Sequence, residues 1–521
     1  MSKFNIAKLR PARGRGPVTT TKRGVTHEGA PGYVRDVKGE LFILAVCNLT
    51  GEDTFYESAG QRDDRFAQLV GAVAVDDVAW LLRFIKWLRT GANLRSAPLV
   101  AAAEAVHARL AAGRVGDNRA LIDAALNRAD EPGELLAYWQ SRFGRALPKP
   151  VKRGLGDAAL RLYAEYPLLK YDTGAKGVRF ADVLCLAHPA GRRGGQSKDD
   201  LFRYAIDRRR GRDAAPAETL AMVRANAALR GLADGDPQAL LDADRLRAAG
   251  MTWEDVLSLV GSKLPKAKLW EALIPSMGIM ALARNLRNFD EAGVSDRVAA
   301  AVIARFTDPA QVAKSRMFPF RWLSAYEAAP SLRWGHALDR ALQASLSNLP
   351  ALPGRTLVLV DTSGSMTGLG LSARSKVTPL KTAAVFGVAL AAKGEAVDLV
   401  GFANGVFTHP VGKGASVIRE VDRFVKRSGE VGHGTNIAGS LRASYAGHDR
   451  VVIVSDMQTM GRDVSTAIPE STMMYGFNLG GYRVTALNTS RSNRVELGGL
   501  TDATFRMLPL IEAGRNADWP F

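Results

Sequence analysis

Cysteine is nearly missing from this chain, since 521 residues hold only Cys47 and Cys185. Two thiols exclude a disulfide framework and a cysteine-based zinc cluster. Long apolar runs are missing too: no stretch of 18 residues has the character of a membrane-spanning helix, so no membrane contact is expected. The N-terminus has no apolar core of a secretory signal, and the expected location is the cytoplasm. Neither G-x-x-x-x-G-K-[ST] nor H-E-x-x-H occurs, which removes P-loop nucleotide hydrolysis and zinc proteolysis, and no enzyme is expected. Acidic residues are outnumbered, 52 against 70 basic ones.

What is present is ordinary globular material, 47% hydrophobic and 23% charged, in a length that allows two to four domains of about 100–200 residues each. The net charge of +18 is unevenly shared: residues 351–521 carry +4 and residues 1–350 carry +14. Such a surplus has two readings. Lys and Arg that meet phosphates release counterions and bind polyanions strongly, and the same residues also serve solubility alone. Residues 1–30 hold Lys3, Lys8, Arg10, Arg13, Arg15, Lys22 and Arg23 with no acid before Glu28, and are expected to form a disordered basic arm.

From 31 to 347 helical periodicity recurs. Val78, Leu81, Leu82, Ile85 and Leu88 are spaced by threes and fours, with Trp80, Phe84 and Trp87 thickening the apolar faces. These aromatics are read as core rather than as base-stacking platforms. Similar runs cover 97–110, 121–126, 134–143, 157–165, 217–232, 253–259, 280–286 and 298–306, separated by the apparent breakers Glu131-Pro132-Gly133, Pro148-Lys-Pro150, Gly194-Gly195 and Asp308-Pro309. No strict period is present, and stacked antiparallel helix pairs are the expected architecture.

After Asn348-Leu-Pro-Ala-Leu-Pro-Gly354 the pattern changes. Strand-like runs at 356–360, 396–402, 451–455 and 472–477 alternate with helical runs at 381–392, 417–425 and 437–445, which predicts a doubly wound, Rossmann-like α/β domain over 354–521. The first strand ends in Asp361-Thr-Ser363-Gly-Ser365, the third in Ser455-Asp456, and between them lies Gly432-His-Gly-Thr435. Carboxyl ends of parallel strands are where such sheets gather ligands. One or two carboxylates plus neutral hydroxyl oxygens form the donor set that suits magnesium or a similar hard ion. The same Ser and Asp also serve as turn residues and helix caps.

With these residues the domain resembles a von Willebrand factor A domain with a metal-ion-dependent adhesion site. The resemblance implies a divalent cation, Mg2+ foremost, held by Asp361, Ser363, Ser365, Thr435 and Asp456. It also implies a coordination position left for a partner's acidic residue.

Arg89-Thr-Gly-Ala-Asn-Leu-Arg-Ser-Ala-Pro98, Trp270-Glu-Ala-Leu-Ile-Pro-Ser-Met277 and Ser315-Arg-Met-Phe-Pro-Phe-Arg321 resemble the TROVE module, a ring of HEAT-like helical repeats. TROVE followed by a von Willebrand A domain is the arrangement of the Ro 60-kDa autoantigen family and its bacterial orthologues. The resemblance implies a monomeric ring that binds small noncoding Y-like RNA outside and single-stranded ends of misfolded RNA in its hole, with an exoribonuclease as a possible partner. Leu168-Leu-Lys170-Tyr171 followed by Leu184-Cys-Leu-Ala-His188-Pro matches the family's Y RNA surface, which assigns RNA roles to Lys170 and His188. The spacing between them is one residue longer here, and a further contact falls on Lys176 or Arg179. Arg192 and Arg193 extend the surface. A structural role for His188 and a solvated basic face stay open beside these roles. The competing function is a metal-dependent protein-interaction module gripping an acidic partner.

Overall fold

The computed structural model describes residues 14–47, 52–190, 192–193, 196–212, 215–329, 331–347, 349–370, 377–499 and 502–521. Eleven strands are present among them: β1 (Thr20–Val25), β2 (Pro31–Arg35), β3 (Arg192–Arg193), β4 (Gln196–Ser197), β5 (Arg355–Asp361), β6 (Ala396–Phe402), β7 (Val406–Thr408), β8 (Arg450–Ser455), β9 (Met473–Asn478), β10 (Val484–Thr485) and β11 (Arg494–Gly498).

Between Val37 and Ser345 the described residues form helices joined by loops, with β3–β4 the only strand pair among them. Each helix packs on a near neighbour: Ala59–Asp76 lies on Ser96–Ala111, that helix on Asn118–Ala125, and that on Lys149–Leu162. Local polar chemistry starts several of them. Ser58 and Gln61 form a reciprocal capping box, as do Thr252 and Asp255, and Asp77 accepts from the Trp80 amide. The apparent breakers have a different meaning in the fold. Pro132, Pro150 and Pro309 sit in the first turns of helices Glu131–Phe143, Lys149–Leu162 and Pro309–Ser315, where a missing N–H costs nothing. Trp80, Phe84 and Trp87 are buried, as expected of core aromatics.

The helical part has two apolar cores. One runs from Val18 to Val223 and the other begins at Leu229, so helix Ala221–Gly231 straddles the division. The ends of the array also meet. Asn93 donates to the Arg316 carbonyl at 3.1 Å across 223 residues of sequence.

The C-terminal sheet has the order β11-β9-β8-β5-β6-β7, parallel except for the antiparallel edge β7. Alternate residues of β5 serve opposite faces: Val358 and Val360 join the core of helices Pro379–Lys393 and Val417–Val425, while Leu357 and Leu359 pack with helix Ile437–Ser444. Strand order reverses between β5 and β8, which opens a crevice at their carboxyl ends.

Two expectations need correction. Residues 14–30 are not a disordered arm: β1 and β2 form a hairpin that adds β10 as a third strand, and the Arg15 carbonyl accepts from Ala517. Residues 1–13, which carry Lys3, Lys8, Arg10 and Arg13, lie outside the described residues. The domain boundary is also not a single cut near 348–354. The N-terminal hairpin completes the C-terminal domain, and in exchange the C-terminal Trp519 and Phe521 pack, tilted or edge-on, against Phe42, Trp80, Phe84 and Trp87 of the first helices.

Candidate functional site

At the β5–β8 crevice, Asp361 closes its strand and turns one oxygen back to accept from the Ser363 amide at 2.9 Å. Its other oxygen accepts from the Ser455 hydroxyl at 2.6 Å. Ser363 and Ser365 place their hydroxyl oxygens 3.3 Å apart, and the Ser365 hydroxyl, beside Asp456, works against the upward effect of burial on that carboxyl. Asp456 accepts from the Gln458 amide at 3.1 Å. The Gly-rich loop joins them because the Gly364 amide donates to the His433 carbonyl at 2.9 Å, and Gly432 sits at φ +88°, a left-handed value that favours glycine. Thr435 follows, buried, its carbonyl bonded to the Met460 amide at 2.8 Å. The structure thus brings Asp361, Ser363, Ser365 and Asp456 into direct contact and sets the loop of Thr435 beside them. Ser455, next to Asp456 in sequence, was not among the residues singled out; its inward hydroxyl is fixed by the end of β8.

The electrostatics are unusual. Asp361 is fully buried and Asp456 nearly so, and burial raises both carboxyls above the usual range, Asp456 also through the charge of Asp361. Neither is in an ion pair with a basic side chain among the described residues. Two buried acids with hydroxyls between them and no counter-charge form a donor set of hard oxygens that fits a divalent cation. Among the described residues no three His, Cys, Asp or Glu side chains are gathered tightly enough to hold an ion by themselves, so the hydroxyls are needed. A cleft of about 60 Å3 opens beside Ser365 and Asp456, roofed by Thr54, Phe55 and Tyr482.

The basic residues lie elsewhere, on the first half of the helical array. Lys170 ends helix Glu165–Tyr171, exposed, with its ammonium 5.5 Å above Tyr166 and 5.3 Å above Tyr171. Arg128 covers Tyr171 at 5.0 Å, so two cations flank one phenol ring. Arg128 escaped the sequence reading because it lies 43 residues from Tyr171. Lys176 is exposed and 3.5 Å from Glu134. Arg179 is turned inward: it pairs with the buried Asp172 at 2.6 Å and precedes helix Phe180–Ala187, whose Asp182 accepts from its amide at 2.7 Å. His188 ends that helix in a left-handed conformation, φ +46°, and is exposed. Arg192 and Arg193 form strand β3, paired with β4; their side chains are outside the described residues.

Comparison with known proteins agrees with this architecture. Residues 245–335 match the TROVE domain family. The chain is 41% identical over 83 residues to telomerase protein component 1 of Mus musculus, a match spanning 16% of this chain but only 3% of that protein. It is 27% identical over 408 residues to the RNA-binding protein RO60 of Deinococcus radiodurans, 72% of each chain. The crystal structure of the Deinococcus radiodurans RO (RSR) protein superposes with a TM-score of 0.62 at 19% identity, over 91% of this chain and 99% of that one. A helical region whose residues 245–335 match the TROVE domain is thus joined to a mixed sheet with helices. Along most of its length the chain is similar to these Ro proteins.

Proposed function

We propose that this protein is a non-catalytic RNA-binding scaffold. Its helical array acts as a ring that carries a small structured, Y-like RNA on its outer face and takes single-stranded RNA ends into its hole, in RNA quality control or processing. The carrying observation is the similarity to a protein named as RNA-binding along 72% of both chains. The contact between Asn93 and Arg316, which joins the two ends of the array, supports a closed ring. Lys170 and Arg128 over Tyr171, with His188 and the Arg192–Arg193 hairpin beyond, supply cations and an aromatic face for phosphates and 2′-hydroxyls. Lys176 is available on the same side, whereas Arg179 serves by shaping the turn.

Filter binding of a small structured RNA at several salt concentrations tests this reading. Joint substitution of Lys170, Arg192 and Arg193 by Ala weakens binding and flattens the slope of log K against log salt by about two. Unchanged affinity would remove the proposed surface. Incubation of RNA with Mg2+ or Mn2+ leaves it intact if the scaffold is non-catalytic, and cleavage lost in Asp361→Ala would make it a nuclease.

The sheet domain is read as a von Willebrand A-like domain with a Mg2+-type ion held by Asp361, Ser363, Ser365, Thr435 and Asp456. When bound, the ion neutralises the two buried acids and presents an acceptor for a carboxylate. This favours a second reading, a module that grips an acidic partner, for which an exoribonuclease is a candidate. Affinity purification with and without RNase separates them: partners that survive RNase and are lost in Asp361→Ala belong to the metal site.

A further inference from the structure

The turn between β1 and β2 arrives at the metal crevice from the other end of the chain and is fastened there. The Thr26 hydroxyl donates to the Thr459 carbonyl at 2.6 Å, the Ala30 amide to the same carbonyl at 3.2 Å, and the His27 amide to the Gln458 side chain at 2.9 Å. Gln458 is the residue whose own amide donates to Asp456. These bonds hold Glu28 beside the crevice, where its carboxylate accepts from the Tyr56 hydroxyl. Tyr56 stacks on His27 at 4.8 Å and meets Tyr482 edge-on at 5.3 Å, and Tyr482 lines the cleft beside Asp456. Three acids therefore converge here, two fixed at the strand ends and one on a tethered turn. Glu28 is not within ligating range of the pair in this state.

We propose that Glu28 is an intramolecular carboxylate ligand for the cation at Asp361 and Asp456, shuttling between the Tyr56 hydroxyl and the ion. The acidic position of the site is thereby filled from within the chain, and an acidic partner must displace the hairpin turn to reach the ion. This rests on the metal reading given above. The turn has a short range to cover, because its anchors at 458 and 459 lie two and three residues beyond Asp456. Tyr56 supplies the resting place, its hydroxyl donating to the Glu28 carboxylate.

Titration of the full chain with Mn2+, followed by calorimetry and by water-proton relaxation, tests the assignment. Wild type binds and Asp361→Ala does not; if neither binds, the metal reading itself fails. Given binding, Glu28→Gln weakens affinity about 10- to 100-fold and raises the relaxivity of the bound ion, because a water replaces the lost carboxylate. Glu28→Asp keeps the charge but shortens the reach, and it falls toward the Gln variant. Tyr56→Phe frees Glu28 and tightens binding. Equal affinity in wild type and Glu28→Gln would overturn the proposal while leaving the site intact. Wild-type affinity in Glu28→Asp, with unchanged relaxivity in Glu28→Gln, would overturn it as well, reducing Glu28 to a distant charge. Circular dichroism confirms folding of each variant.

Discussion

Where helix Leu332–Ser345 meets the sheet domain, the contact is mainly apolar: one core runs from Leu229 through Leu338 and Leu342 to Phe424 and Val360, with Asp339 accepting from the Ser416 hydroxyl and the Ile418 amide beside it. Where helix Val37–Cys47 and the β1–β2 hairpin meet the other side of the same domain, the apolar cores stop being continuous and buried polar bonds take over. Arg35 and Glu496 pair at 2.6 Å with both side chains fully buried. Arg62 and Arg65 donate to the Gly480 and Gly481 carbonyls at 2.9 and 3.0 Å, and Cys47 to that of Asn478 at 2.8 Å. An apolar seam is non-directional and tolerates small shifts. A polar seam holds one register and, once parted, leaves costly unpaired groups. The candidate metal crevice opens onto the polar seam, beside Thr54 and Tyr482, so the state of that seam bears on access to Asp456.

The largest effect is expected from Arg35→Met. It leaves Glu496 buried with only Asn478 and Thr485 as donors, and the cost of a broken buried pair is about 3–5 kcal/mol. Urea unfolding followed by far-UV dichroism and by tryptophan fluorescence should show the two probes separating, because the hairpin no longer ties the helices to the sheet. On the apolar seam, Leu342→Ala costs about 2–5 kcal/mol as a core cavity, with the probes still coincident. Coincident probes in Arg35→Met would make the two seams equivalent.

A smaller effect attaches to the exchanged C-terminus. Trp519 lies 5.1 Å from Trp80 edge-on and 5.3 Å from Phe42, but both Trp519 and Phe521 are only partly buried. Trp519→Ala is therefore expected to cost about 1–2 kcal/mol, read as a lower unfolding midpoint with loss of near-UV dichroism. A midpoint unchanged within error would mean that the tail decorates the first helices without fastening them.

The two seams also differ in how far sequence reveals them. Strands β5, β6 and β8 and the helices between them follow from local patterns of apolar residues, and Asp361, Ser363, Ser365 and Asp456 from spacing at strand ends, because all of these are short-range signals. The polar seam has no such signal. Thr20–Val25 reads as a basic arm because Lys22 and Arg23 face solvent on an edge strand whose partner, 31–35, is itself held on its other side by 484–485 from the far end of the chain. Glu28 looks like the end of that arm, and nothing near it in sequence announces Asp456. Arg179 shows the reverse: the family resemblance offers it, beside Lys176, as an RNA contact, and the structure pairs it with Asp172.

Cys47 offers the finest probe of the comparison, since it lies on the polar seam while Cys185 is exposed on the helical array. Burial pushes the Cys47 thiol up to about 12, and its hydrogen bond to the Asn478 carbonyl keeps the proton in place. The thiolate is the reactive form, so at pH 8 a closed seam makes Cys47 slower than a free thiol of pKa near 8.5. Titration with a disulfide reagent should give one fast thiol from Cys185 and one slow thiol. Any acceleration of the slow phase reports opening of the seam, since the thiol must first regain water. Arg35→Met should speed it strongly and Leu342→Ala little, though both lower global stability. Equal acceleration by the two variants would show that Cys47 reacts only through global unfolding. Two fast thiols in the wild type would place the polar seam open in solution, with the metal crevice free of its roof.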